Sequence, residues 1–146
     1  NGQWRRLATL QVPRRGLVLV AVEDQLFAIG GYNEDGFSKV VEEYDPLTDR
    51  WQLHPWKVAP RTWAAAAVVD GDLLLAGGYN QTGFLDLVER IDATNGELCH
   101  PPPLELARSW FALAPTAQGI LALGGETKDG FSNSLEWVHE TCAKID

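Results

Sequence analysis

Three arginines, Arg14, Arg61 and Arg108, stand 47 residues apart along the chain, and three glutamates, Glu42, Glu89 and Glu136, keep the same interval. Guanidinium groups gathered at one place recognise carboxylates, because their planar donor fork matches the carboxylate oxygens. The arginines therefore admit two readings, as acid-binding groups or as part of a structural seam. The glutamates favour a seam, satisfying buried backbone or neighbouring polar groups, since general acid–base chemistry does not need a copy in every repeat. His54, His100 and His139 fall at unrelated phases and do not converge. No Ser or Cys sits in a nucleophile-elbow context, and two-Cys, two-His metal spacing is absent. Catalytic residues, metal ligands and cofactors are accordingly not expected.

The elements that must position these groups are themselves repeated. "LFAIGGYNEDGF" at 26–37, "LLLAGGYNQTGF" at 73–84 and "ILALGGETKDGF" at 120–131 share the 47-residue interval without insertion or deletion. A fixed period of this size marks a solenoid or propeller array. Within one repeat the pattern is β throughout. "TWAAAAVV" at 62–69 is an apolar run of strand length, "DGD" at 70–72 is tight-hairpin chemistry, and "LLLA" at 73–76 is the continuous apolar run of a strand buried on both faces. "LDLVERID" at 85–92 mixes polar and apolar residues as a more exposed third strand, and "LCH" begins a fourth. The unit is a four-stranded antiparallel sheet. A Gly-rich phosphate cradle needs a helix N-terminus behind it, whereas each Gly-Gly pair here leads into a polar loop and another strand. The glycines read as sites of close backbone approach or positive φ.

The strand ending in Gly-Gly, the "YDPLTDRW" at 44–51 and the Pro-Arg at 13–14 and 60–61 resemble kelch repeats, over essentially the whole chain. The resemblance implies all-β propeller blades, here three of them. The expected layout is an outer strand over 1–9, blades at 10–56 and 57–103, and a third blade at 104–146 lacking its outer strand. Propellers close with 4–8 blades, so two copies exchanging their terminal strands are expected to form a six-bladed homodimer. In a propeller the first strands line the channel, and Arg14, Arg61 and Arg108 would gather at one mouth. In kelch domains that recognise peptides, such arginines resemble the acid-binding residues, joined by the loop after Gly-Gly, here Tyr32, Asn33, Tyr79 and Asn80. Trp63 and Trp110 read as pocket walls or as core packing. Trp4, Trp51 and Trp137 read as inter-blade packing, and Trp56 as a contact residue or a cover for the core. The implied function is a non-catalytic module binding an acidic peptide or protein motif. The alternatives are a structural or engineered fragment with no evolved ligand, and a sugar-processing propeller enzyme. The copper-ligand positions of kelch-family oxidases find no match here.

Composition bounds these readings. The formal net charge of −8 argues against a nucleic-acid backbone as partner. No apolar run approaches the roughly 20 residues of a membrane span. Cys99 and Cys142 show neither a disulfide framework nor metal spacing and read as free thiols, which favours a reducing, cytoplasmic setting. A glycosylation triplet, Asn80-Gln81-Thr82, points weakly the other way. A chain that starts at Asn1 and holds no Met fits a processed, excised or engineered product.

Overall fold

In a computed structural model, residues 2–142 are described. Three antiparallel sheets follow one another in chain order. The first comprises Val18–Val22, Gln25–Ile29, Val41–Asp45 and Arg50–Leu53, each strand hydrogen-bonded to the next. The second repeats this order with Ala65–Val69, Asp72–Ala76, Val88–Ile91 and Leu98–Cys99. The third has three strands among the described residues, Ala112–Thr116, Gly119–Leu123 and Leu135–Val138. First strands of neighbouring sheets approach one another while the fourth strands lie outside, which is the arrangement of propeller blades. Ile145, the counterpart of Trp51 in the third repeat, lies outside the described residues. Residues 2–14 form no strand, and Trp4 is fully exposed.

The hairpin chemistry read at 70–72 is realised in a two-residue turn. Val69 pairs with Asp72, and Asp70 and Gly71 both take positive φ, at 51° and 87°. Such a turn matches the right-handed twist of the flanking strands. The second strand of blade 2 is buried on both faces because it is sandwiched between two other blades. Leu73 and Leu75 join Val22, Phe27, Ile29 and Val41 of blade 1 in one core. Leu74 and Ala76 join Ile120, Ala122 and Val138 of blade 3 in the other. This two-sided burial explains why Leu73–Ala76 read as a continuous apolar run rather than an alternating one. Trp56, from the connection between blades 1 and 2, stacks on Phe27 at 4.5 Å and closes the first core.

One expectation is corrected here. Cys99 and Cys142 are not free thiols but form a disulfide. They stand 43 residues apart, so sequence spacing gives no hint of the pairing. The fold brings them together because the outer strand of blade 2 runs beside the segment that leaves the third strand of blade 3. Arg90 on blade 2 reinforces the same junction, donating from a guanidinium nitrogen to the Glu140 carbonyl at 3.0 Å. The argument for a reducing compartment falls with the free thiols. Among the described residues no helix is long and apolar enough to cross a membrane.

Candidate functional site

The seam between blades is built from backbone. Gly31 N–H donates to the Arg61 carbonyl at 2.8 Å, Arg61 N–H to Ser38 at 3.3 Å, and Trp63 N–H to Gly16 at 2.8 Å. The next seam repeats the set, with Gly78 to Arg108 at 2.8 Å, Arg108 to Leu85 at 3.1 Å and Trp110 to Trp63 at 3.0 Å. Glycine is required for this approach. A Cβ on Gly78 would stand 2.8 Å from the Thr62 carbonyl oxygen, and the residue already sits at φ 105°. The Gly-Gly pairs are thus backbone junctions at strand ends.

The arginines are closed inside the blades. Arg61 and Arg108 are each 1% exposed, and the Arg14 side chain is fully buried. Arg14 donates to the carbonyls of Val12, Ala28 and Gly30 and to Glu42 Oε1 at 2.5 Å. Arg61 donates to Ala59, Gly77 and Leu87 carbonyls and is ion-paired with Glu89. Arg108 repeats the pattern with Leu106, Gly124, Ser134 and Glu136, the last at 2.7 Å. The glutamates in turn accept the amides of the incoming connections, Gln11 and Val12 on Glu42, Ala59 on Glu89 and Glu105 on Glu136. Each Arg–Glu pair therefore clamps the connection to the ends of the second and third strands. Burial pulls the Arg61 pKa down, partly offset by the Glu89 carboxylate. Of the two readings open for the arginines, this geometry is the seam.

The aromatic residues behave differently. Trp63 and Trp110 both occupy the left-handed region, at φ 54° and 52°, and Gly16 holds the equivalent place in blade 1 at φ 64°. A bulky residue there carries a steric cost of about 1–3 kcal/mol. Their rings meet at 4.4 Å, and Trp110 is 55% exposed. Trp63 also lies 6.3 Å from Tyr79, Tyr79 lies 6.1 Å from Phe37, and Phe37 meets Tyr32 edge-on at 5.0 Å. A continuous aromatic strip thus crosses all three blades. Tyr32 is half-buried beneath the exposed Arg15, whose guanidinium sits 5.5 Å from the ring centre.

Of the residues expected at the mouth, Tyr32, Tyr79, Trp63 and Trp110 come together. Asn33 uses its amide oxygen to accept the Asp35 N–H within its own turn. Asn80 is buried, with its amide nitrogen donating to the Pro60 carbonyl and its oxygen accepting from Thr82. The Asn80 triplet is therefore spent on local structure, in a poor position to receive a glycan. Trp137 is half-exposed, on the same face of its strand as Leu135, and Trp4 is fully exposed. Sequence reasoning missed Arg15 and Phe37. It also missed the left-handed Trp positions, although Gly16 in the same phase as Trp63 and Trp110 was a usable signal. Among the described residues, no group of three or more His, Cys, Asp or Glu side chains is placed to hold a metal ion.

The fold is a run of β-propeller blades bearing an aromatic strip where the first strands converge. The Kelch motif profile matches residues 13–53, which span the first of these blades, and supports a kelch-repeat domain. Kelch-like protein 36 of Bos taurus is 43% identical over 49 residues, covering 34% of this chain and 8% of its own. A putative F-box/kelch-repeat protein of Arabidopsis thaliana is 37% identical over 54 residues, covering 36% of this chain and 16% of its own. Kelch-like ECH-associated protein 1B of Danio rerio is 41% identical over 56 residues, covering 36% of this chain and 10% of its own. The matched segments are thus a small part of each relative.

Proposed function

We propose that this kelch module is a non-catalytic protein-binding domain whose site is the aromatic strip Tyr32–Phe37–Tyr79–Trp63–Trp110. The observation that carries this reading is the pair of tryptophans held in strained left-handed conformations, their rings in tilted contact and Trp110 open to solvent. Steric strain retained at one phase of the repeat marks a place selected for something besides stability. Large, rigid aromatic surfaces of this kind anchor protein partners at low entropic cost. An extended segment laid along the strip would bury apolar side chains against it.

The preference for acidic motifs expected from Arg14, Arg61 and Arg108 shifts to Arg15. That side chain is exposed, sits over Tyr32 and can present its donor fork to a carboxylate. One relative's name, which calls it ECH-associated, fits this general reading. Assembly as a dimer of half-propellers, with the 1–9 segments exchanged as outer strands, belongs to the same proposal.

Matched arrays of acidic, basic and neutral aromatic-containing peptides, probed with the parent chain, Trp63→Ala and Arg15→Ala, test it. Trp63→Ala is expected to lose binding to every class by roughly 30-fold, the size of an interface anchor of about 2 kcal/mol. Arg15→Ala is expected to lose only the acidic peptides. Binding that survives Trp63→Ala unchanged would remove the strip as the site.

A further inference from the structure

The residues paired just ahead of each first strand change charge from blade to blade. Arg15 stands opposite Tyr32, Thr62 opposite Tyr79 and Ser109 opposite Glu126, each pair an isolated antiparallel bridge. The backbone bonds are the same in all three. Arg15 and Tyr32 exchange theirs at 3.0 and 2.8 Å, Thr62 and Tyr79 at 2.9 Å both ways, and Ser109 and Glu126 at 2.9 and 2.8 Å. Blade 3 therefore sets a carboxylate where blades 1 and 2 set a tyrosine ring. Blade 1 sets a guanidinium where the other two set a hydroxyl.

Two acceptors stand unused at the blade 3 pair. Ser109 is 1% exposed, and its Oγ has no hydrogen-bond partner among the described residues. Its counterpart Thr62 donates from Oγ1 to the Gly16 carbonyl at 3.1 Å. Among the described residues the half-buried Glu126 carboxylate makes neither a hydrogen bond nor an ion pair, whereas Glu42, Glu89 and Glu136 each hold an arginine. Residues that exchange both backbone bonds turn their side chains to one face, with Cβ atoms roughly 5 Å apart. The Ser109 hydroxyl and the Glu126 carboxylate thus share one space.

The flanks of that space are aromatic. Tyr79 lies 6.3 Å from Trp63 of its own blade and 6.1 Å from Phe37 of the preceding one, ring centre to ring centre. Equivalent bonds place Glu126 between Trp110 and Phe84, so the position is bounded by blades 2 and 3 alone. A carboxylate beside aromatic faces favours a cation, and the net charge of −8 draws the same sign of ligand.

We propose that Ser109 and Glu126 form a subsite for a basic side chain, lysine or arginine, of the segment bound on the aromatic strip. The ammonium or guanidinium donates to the Glu126 carboxylate and to Ser109 Oγ, with Trp110 and Phe84 beside it. Arg15, over Tyr32, marks the opposite end of the strip. The segment therefore carries an acidic residue at blade 1 and a basic residue at blade 3. The inference rests on the strip being the binding site and gives its ligand a charge order and a direction.

Affinities of acidic, basic and neutral aromatic-containing peptides for the parent, Glu126→Gln, Glu126→Tyr and Ser109→Ala test the subsite, with urea unfolding of each chain. The parent is expected to bind basic peptides roughly 10-fold tighter than neutral ones, the size of one hydrogen bond to a charged group. Both Glu126 variants are expected to lose that margin while binding neutral peptides as before. Tyrosine already occupies this phase in blades 1 and 2, so the seam accommodates it. Ser109→Ala removes an unpaired hydroxyl and is expected to be no less stable than the parent, yet to bind basic peptides roughly threefold more weakly. A parent without the basic margin, Glu126 variants that keep it or that lose all three classes equally, or a Ser109→Ala chain that loses stability but no affinity would each overturn the subsite. Neutral peptides that bind the parent but not Trp63→Ala, with no basic margin, leave the strip standing without it. A basic margin that survives Trp63→Ala and vanishes in Glu126→Gln keeps the subsite and removes the strip.

Discussion

His54 shows how a single residue's setting translates into behaviour. It is half-buried between Phe27 and Trp56, with ring centres at 5.3 and 4.5 Å, and its Nδ1 has no hydrogen-bond partner among the described residues. Burial lowers its pKa below the ordinary value, and Glu43, 3.8 Å from Nε2, opposes the shift. A histidine with a depressed folded pKa contributes stability that is present above its unfolded pKa, about 6.5, and lost as pH falls below it. Urea unfolding of the parent and His54→Gln between neutral pH and the top of the carboxylate range is expected to show a decline in the parent that the variant lacks. Equal slopes would contradict the account of this site. The Arg–Glu clamps are the second residue-scale lesson. The shared 47-residue phase of Arg14, Arg61, Arg108 and the glutamates was legible in the sequence, and so was the seam reading of the carboxylates. What a sequence does not carry is which way each arginine turns, and here the carbonyls of three chain segments surround it.

Strands and turns were the most legible elements, because apolar runs and turn residues repeat in phase. The Asp70-Gly71 turn and the doubly buried Leu73–Ala76 strand follow directly from local chemistry. The disulfide was illegible because it joins different blades, and nothing local distinguishes Cys99 or Cys142. It fastens the two-residue outer strand Leu98–Cys99 to the segment after blade 3. Closing a loop of 43 residues restricts the unfolded chain by an amount worth about 4 kcal/mol on the chain-entropy argument. Cys99→Ser is expected to lower the unfolding free energy by roughly 2–4 kcal/mol, read by chemical denaturation with and without reductant. A reductant should destabilise the parent equally and leave the variant unmoved. If the parent is indifferent to reductant, the staple does not hold the blades together.

At the scale of the whole molecule, the arginines and the tryptophans two residues after them are placed differently. Arg61 and Arg108 lie inside the blades, while Trp63 and Trp110, two residues further on and just ahead of each first strand, bring their rings together at 4.4 Å. The propeller class was readable from the period. The different placement of arginine and tryptophan was not, because it depends on the left-handed turn after each arginine. The most direct test compares Arg108→Ala with Trp110→Gly, measuring both unfolding free energy and peptide affinity per folded molecule. Arg108→Ala leaves Glu136 and several carbonyls unpaired and is expected to cost about 3–5 kcal/mol in stability while the folded fraction binds as before. Trp110→Gly relieves the backbone strain, is expected to stay within about 1 kcal/mol of the parent in stability, and loses roughly 30-fold in affinity. A Trp110→Gly chain that binds like the parent, together with a folded Arg108→Ala chain that does not, would contradict the aromatic site and return binding to the arginines.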